Sequence, residues 1–272
     1  MFPRGLAALL LGAGAVTACA TGGDPAPPPA PIPTAPPGTS APPVPTVSPG
    51  PSAPGGLVLR WRLTGGIAGV GGPGALPDFS LYGDGRALVP AGGSPLEVRE
   101  YRLTGDALRR LLDGARTAGL DRGRTVERPR IADAFTLVIR FGSARTRIEH
   151  PEEDGDPAVR FWKRLDPRGW PRQDQAVPPR PHRYTRLAVL AGEVTGGTGG
   201  PVRRWPLSPL GRGEQAGGGL CTVLDGDDAA TATRLGKAAP AGTLWRSEGK
   251  VYSVRWRPLL PDESTCRDMA AG

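Results

Sequence analysis

Cysteine is scarce in this chain: Cys19, Cys221 and Cys266 are the three in 272 residues, and no two are spaced CxxC. A thiolate-rich zinc site is therefore excluded. Histidine is scarcer still, so any Ser-His-Asp or Cys-His chemistry would have to run through His150 or His182. Neither lies in a nucleophile motif, and GxSxG does not occur. Lysine is limited to Lys163, Lys237 and Lys250, so arginine supplies 31 of the 34 basic residues behind the net charge of +8. A bias of that kind follows from GC-rich coding as much as from a partner. Basic and acidic residues are interleaved, as in EVREYR and DRGRTVERPR, rather than gathered in a stripe, which argues against nucleic acid as a partner. Long apolar runs are missing too. The eleven residues Leu6 to Val16 fall short of the roughly 20 that span a bilayer.

What is present begins at the N-terminus. Arg4, the apolar run LAALLLGAGAV and the small residues Thr17 and Ala18 read as a signal peptide over residues 1–18. Val16-Thr17-Ala18-Cys19 resembles the lipobox of bacterial lipoproteins, in which the cysteine thiol accepts a diacylglyceryl group. The resemblance implies cleavage before Cys19, lipidation (diacylglyceryl, with palmitate-type chains) on it, and a place on the extracytoplasmic face of the cell membrane. An ordinary secretory signal cut within Ala18-Cys19-Ala20 is the alternative. Residues 19–55 then form a tether. Fourteen prolines lie between Ala20 and Pro54 beside the single charge of Asp24, a composition expected to be disordered and extended.

Beyond the tether the periodicity changes. Leu57, Leu59, Trp61 and Leu63 alternate with other residues as a half-buried strand, and Gly83-Asp84-Gly85 joins two further strands as a hairpin. Thr104 offers an N-cap to a helix whose apolar face is Leu108, Leu111, Leu112, Ala115 and Ala118, ended by Gly119. Phe135 to Phe141 and Arg145 to Glu149 predict a second hairpin, and Ala158 to Leu165 a short helix. The proline-rich interval PRQDQAVPPRPHR separates this N-terminal half, 56–170, from a C-terminal half, 183–272. In the latter, Arg186 to Val194 and Cys221 to Leu224 predict strands, Asp227 or Asp228 caps a helix through Leu235, and Leu244 to Arg246 pairs with Val251 to Arg257. The expected class is α+β, with antiparallel sheets, a few helices and two helix-plus-hairpin halves. With Cys19 consumed by lipid, Cys221 and Cys266 remain as an even pair, expected to form a disulfide in an exported chain.

The segments FSLYGDGRAL, LTGDALRRLLDGARTAGL and LWRSEGKVYSVRWRPLLPDESTC, with the lipobox and tether, resemble uncharacterised lipoproteins of high-GC actinobacteria. That resemblance implies export and anchoring, and carries no catalytic motif.

Other motifs fail on context. Gly69 to Gly74 matches GxGxxG, but Pro73 and Pro77 prevent the helix that phosphate cradling needs. Asp225-Gly226-Asp227-Asp228 begins like a calcium loop, yet Ala230 and Gly236 occupy the positions that require Gly and Glu. Glu152, Glu153, Asp154 and Asp156 read as a solvated loop before a helix. No catalytic, cofactor or metal residue is assigned. Among six tryptophans, Trp61, Trp245 and Trp256 fall in strand patterns, leaving Trp162, Trp170 and Trp205 as the candidate binding surface. The expectation is a noncatalytic module that binds a protein or cell-wall polymer. The alternative is an exported hydrolase acting on cell-envelope material.

Overall fold

The computed structural model describes residues 55–66, 71–128, 133–153, 155–196 and 200–269. The signal peptide, Cys19 and the tether lie outside the described residues. No helix among those described is long and apolar enough to cross a membrane.

Among the described residues the chain is α+β, with two sheets and three α-helices. The larger sheet has eight strands: β1 (Leu57–Gly65), β2 (Phe79–Tyr82), β3 (Arg86–Pro90), β4 (Val98–Leu103), β5 (Arg124–Val126), β6 (Phe135–Phe141), β7 (Ala144–Glu149) and β8 (Gln175–Pro181). Their order is β5-β7-β6-β1-β2-β3-β4-β8, antiparallel except where β5 runs parallel to β7. Alternation along β1 decides its two faces. Leu59 and its neighbours Trp61 and Leu63 pack with Phe79, Leu81, Leu137 and Ile139 under α1 (Gly105–Thr117) and α2 (Pro157–Trp162), while Arg60 and Arg62 point the other way. Thr104 caps α1 by accepting from Ala107 N, and Asp156 caps α2 by accepting from Ala158 N, each worth about 1 kcal/mol.

The smaller sheet, in the order β10-β13-β14-β9-β12-β11, is built from β9 (Arg186–Glu193), β10 (Val202–Arg204), β11 (Glu214–Ala216), β12 (Gly219–Asp225), β13 (Leu244–Ser247) and β14 (Lys250–Pro258). One face packs Leu187, Val189, Trp245 and Tyr252 against α3 (Gly226–Ala238). The other carries Ala188, Leu190 and Cys221 and is covered by Leu259, Cys266 and Met269 of the C-terminal segment. Cys221 and Cys266 are joined in a disulfide.

That segment also meets the far face of the larger sheet. Arg257, 1% exposed, makes a two-pronged ion pair with Glu263, with Nη2 2.8 Å from Oε1. Glu263 also accepts from Leu260 N and stands 3.6 Å from Arg60, whose Nη2 bonds Asp262 at 2.8 Å. The Tyr82 hydroxyl donates to Asp262 at 2.7 Å, and burial with that acid alongside pushes its pKa well above the tyrosine range.

Two sequence expectations need correction. The proline-rich interval is not a linker: Gln175–Pro181 forms β8, the outer strand beside β4. An edge strand tolerates prolines because half of its N–H groups have no neighbour to bond. The cap of α3 is Asp225, with Asp227 and Asp228 in its first turn. Both halves do contain a helix followed by a hairpin, but they are wired differently. In the first the leading hairpin strand, β6, joins the central strand β1; in the second the trailing strand, β14, joins β9.

Candidate functional site

The helices leave part of the larger sheet uncovered. There β1, β2, β3 and β4 present Trp61, Phe79, Val89, Arg99 and Tyr101, and the end of α2 with the turn after it supplies Trp162, Lys163, Asp166 and Arg168. Together they enclose a cavity of about 340 Å³, at the small end of ligand sites. Its aromatic wall is fixed by edge-to-face packing. Trp162 meets Trp61 at 5.6 Å, and Trp170 braces Phe79 and Tyr101 from behind at 6.0 and 6.1 Å. Such contacts contribute roughly 0.5–1.5 kcal/mol each beyond burial and leave the rings little freedom. Trp61 Nε1 is buried without a partner among the described residues.

The pKa values of the cavity's two carboxyls are displaced in opposite directions. Burial pushes Asp78 above the usual range, against a hydrogen bond from Leu63 N to its Oδ2 at 2.8 Å. A hydrogen bond from Arg168 at 3.0 Å holds Asp166 below that range. Arg99 and Lys163 at the mouth are exposed.

The tryptophans chosen from sequence separate here. Trp162 lines the cavity, and Trp170 is half-buried behind it. Trp205 does not belong to any exposed surface: it is 6% exposed, packs on Trp245 and Trp256 at 5.4 and 5.9 Å, and donates to Ser208 O. Because β10 pairs in parallel with β13, its C-terminal end delivers Trp205 onto the core side. Trp61, by contrast, is core on one side and cavity wall on the other. Alternation alone could not find this, since it identifies the inward face but not where the helices stop covering it.

Both histidines are engaged with acids. The His182 side chain is 9% exposed and its Nδ1 lies 2.9 Å from Glu100 Oε2, while Arg180 donates to Glu100 Oε1. Burial raises the Glu100 pKa, and the bonds from His182 and Arg180 outweigh it, leaving the carboxyl below its ordinary range. His150 is buried with a left-handed backbone (φ 52°) and faces Glu152 at 3.7 Å. Of the acidic run, Asp156 spends its carboxylate on the α2 cap and Arg124, and Asp154 lies outside the described residues. A SxxK spacing at Ser247-Glu248-Gly249-Lys250, which sequence reading passed over, spans the β13–β14 hairpin. Ser247 there accepts from Leu210 N, and Lys250 pairs with Glu193 at 2.8 Å. No group of three His, Cys, Asp or Glu among the described residues is placed to hold a metal.

Compared with protein-family models, curated proteins and solved structures, the chain matches none. The fold and the cavity therefore define it only as a two-sheet α+β domain with an aromatic cleft.

Proposed function

We propose that this is a lipoprotein, anchored through Cys19 on the extracytoplasmic face of the cell membrane, whose cleft binds a saccharide portion of the cell wall without catalysis. The observation that supports it is the pairing of braced aromatic faces with polar side chains in one small cavity. Sugar rings offer C–H faces to stack on indole and hydroxyls to bond to carboxylate and guanidinium groups, the combination that Trp162, Asp166, Lys163 and Arg168 supply. Fluorescence titration with purified wall fragments tests it. Trp162→Ala should weaken binding about tenfold, by analogy with the roughly 1–3 kcal/mol that one nucleobase gains on an aromatic ring; unchanged affinity would remove the cleft from the reading. For the anchor, the wild type should incorporate labelled fatty acid and Cys19→Ala should not.

A second reading, an exported hydrolase acting on envelope material, is favoured by one feature. Two carboxyls whose surroundings drive their pKa values apart can divide acid and base work. Chromatography of wall fragments after prolonged incubation separates the readings. New products that vanish in Asp78→Asn support hydrolysis, and intact fragments support binding alone.

A further inference from the structure

On the face of the larger sheet opposite the cleft, β1, β6 and β7 bring arginines together in a way that sheet stability does not favour. Arg60 pairs with Arg140 and Arg140 with Arg145, while Arg62 pairs with Val138 and Val138 with Arg147. Directly opposed residues on adjacent strands stand about 4.5–5.5 Å apart, and like charges there are destabilising. Arg60 is neutralised by Asp262 beneath the C-terminal segment. The rest is not. Arg140, Arg145 and Arg147 are exposed; Arg147 has Glu149 at 3.5 Å, Arg140 bonds only a backbone carbonyl, and Arg145 has no side-chain partner among the described residues.

Beside them Arg62 is 8% exposed, its Nε has no partner among the described residues, and its contact with Ala75 O is long at 3.4 Å. A buried guanidinium with an idle Nε, adjoining three surface arginines, offers a donor and a charge that the fold leaves unused on this face. We infer that this face is a docking surface for a linear phosphodiester polymer, its successive phosphates held by Arg140, Arg145 and Arg147. Arginine forks match phosphate oxygens in two-point contact, and positive potential from Arg62 reinforces them. A bilayer is the poorer fit. Surfaces that insert into a bilayer carry apolar side chains, and the exposed large hydrophobics among the described residues, Val177 and Val202, belong to β8 and β10 instead, so headgroup charge alone would hold this face to lipid.

The test uses the full chain carrying Cys19→Ala, so that no lipid contributes, with poly(glycerol phosphate) as the probe. Against it stand Arg140→Gln/Arg145→Gln/Arg147→Gln and a control of equal charge change, Arg203→Gln/Arg204→Gln/Arg246→Gln, on two neighbouring strands of the other sheet. The first variant should lose about tenfold or more in affinity and flatten the salt dependence, while the control stays within about threefold. Relief of like-charge opposition should leave its melting temperature unchanged or higher, and Arg145→Gln alone should show a smaller loss of the same kind. Equal losses in both triples would reduce the effect to net charge and overturn the assignment, as would no loss in either. Equal binding to polyglutamate would overturn the phosphate preference. Tighter binding to phosphatidylglycerol vesicles than to the polymer would make the surface a membrane contact instead.

Discussion

Arg257 and Glu263 are both about 1% exposed; Glu263 takes both Nη groups of Arg257 and Leu260 N and stands beside Arg60, while Arg257 Nε has no partner among the described residues. Removing one partner leaves a charge in a place that water does not reach, so Glu263→Ala should destabilise the domain by about 3–5 kcal/mol. Arg257→Met combined with Glu263→Leu should cost less than that single change, which denaturant unfolding of both would check. A larger loss in the double variant would mean that the pair itself, rather than the avoidance of a lone charge, stabilises the junction. A few residues on, Asp268 accepts from Ser264 N, Thr265 N and the Ser264 hydroxyl, which lowers its pKa from 3.8 to about 2. Its folded pKa lies below the unfolded one. The stability it contributes is therefore complete above about pH 4 and lost as pH falls through about 2. Thermal melts of Asp268→Asn should be flatter than wild type across that window, and parallel curves would deny Asp268 the role.

The β13–β14 hairpin shows what the sequence made legible among the elements. Leu244 to Arg246 and Val251 to Arg257 were readable as strands from their alternation, and the observed register pairs Ser247 with Lys250 around Glu248-Gly249. Both turn residues take positive φ, 47° and 81°, the geometry of a two-residue turn that favours Asn-Gly. Glu248→Asn should stabilise by about 0.5–1 kcal/mol, less whatever the exposed Arg212–Glu248 pair contributes, and a lowered denaturation midpoint would count against that turn assignment. The Thr104 cap and the hairpins were legible for the same reason: their signals are local. The prolines of β8 hid a strand because pairing with β4 is a tertiary fact. Trp205 was misjudged because a three-residue parallel edge strand has no periodicity to read. The cleft was half legible: Trp162 could be named, but Asp78, Arg99 and Tyr101 come together only through the register of β2, β3 and β4.

At the scale of the molecule, the two sheets share structure that neither half holds alone. Leu96, between β3 and β4, packs into the α3 core of the smaller sheet, and Leu260 packs with Tyr82, Leu88 and Val98 of the larger one. Arg255 donates to Pro73 O at 3.0 Å, and Asp262 and Glu263 tie the C-terminal segment to Arg60. The disulfide holds that segment to β12 across a separation of 45 residues, for which chain entropy gives about 4 kcal/mol. Because the segment serves both sheets, its loss should be felt by both. Calorimetry should therefore record one unfolding transition, not one for each sheet. Reduction of Cys221–Cys266 should move that transition down as a whole, since the loosened segment withdraws Leu259 and Met269 from one sheet and Asp262 and Leu260 from the other. Two resolved transitions, or a reduced protein in which only the smaller sheet melts early, would show that the halves fold independently and that the buried ion pairs do not couple them.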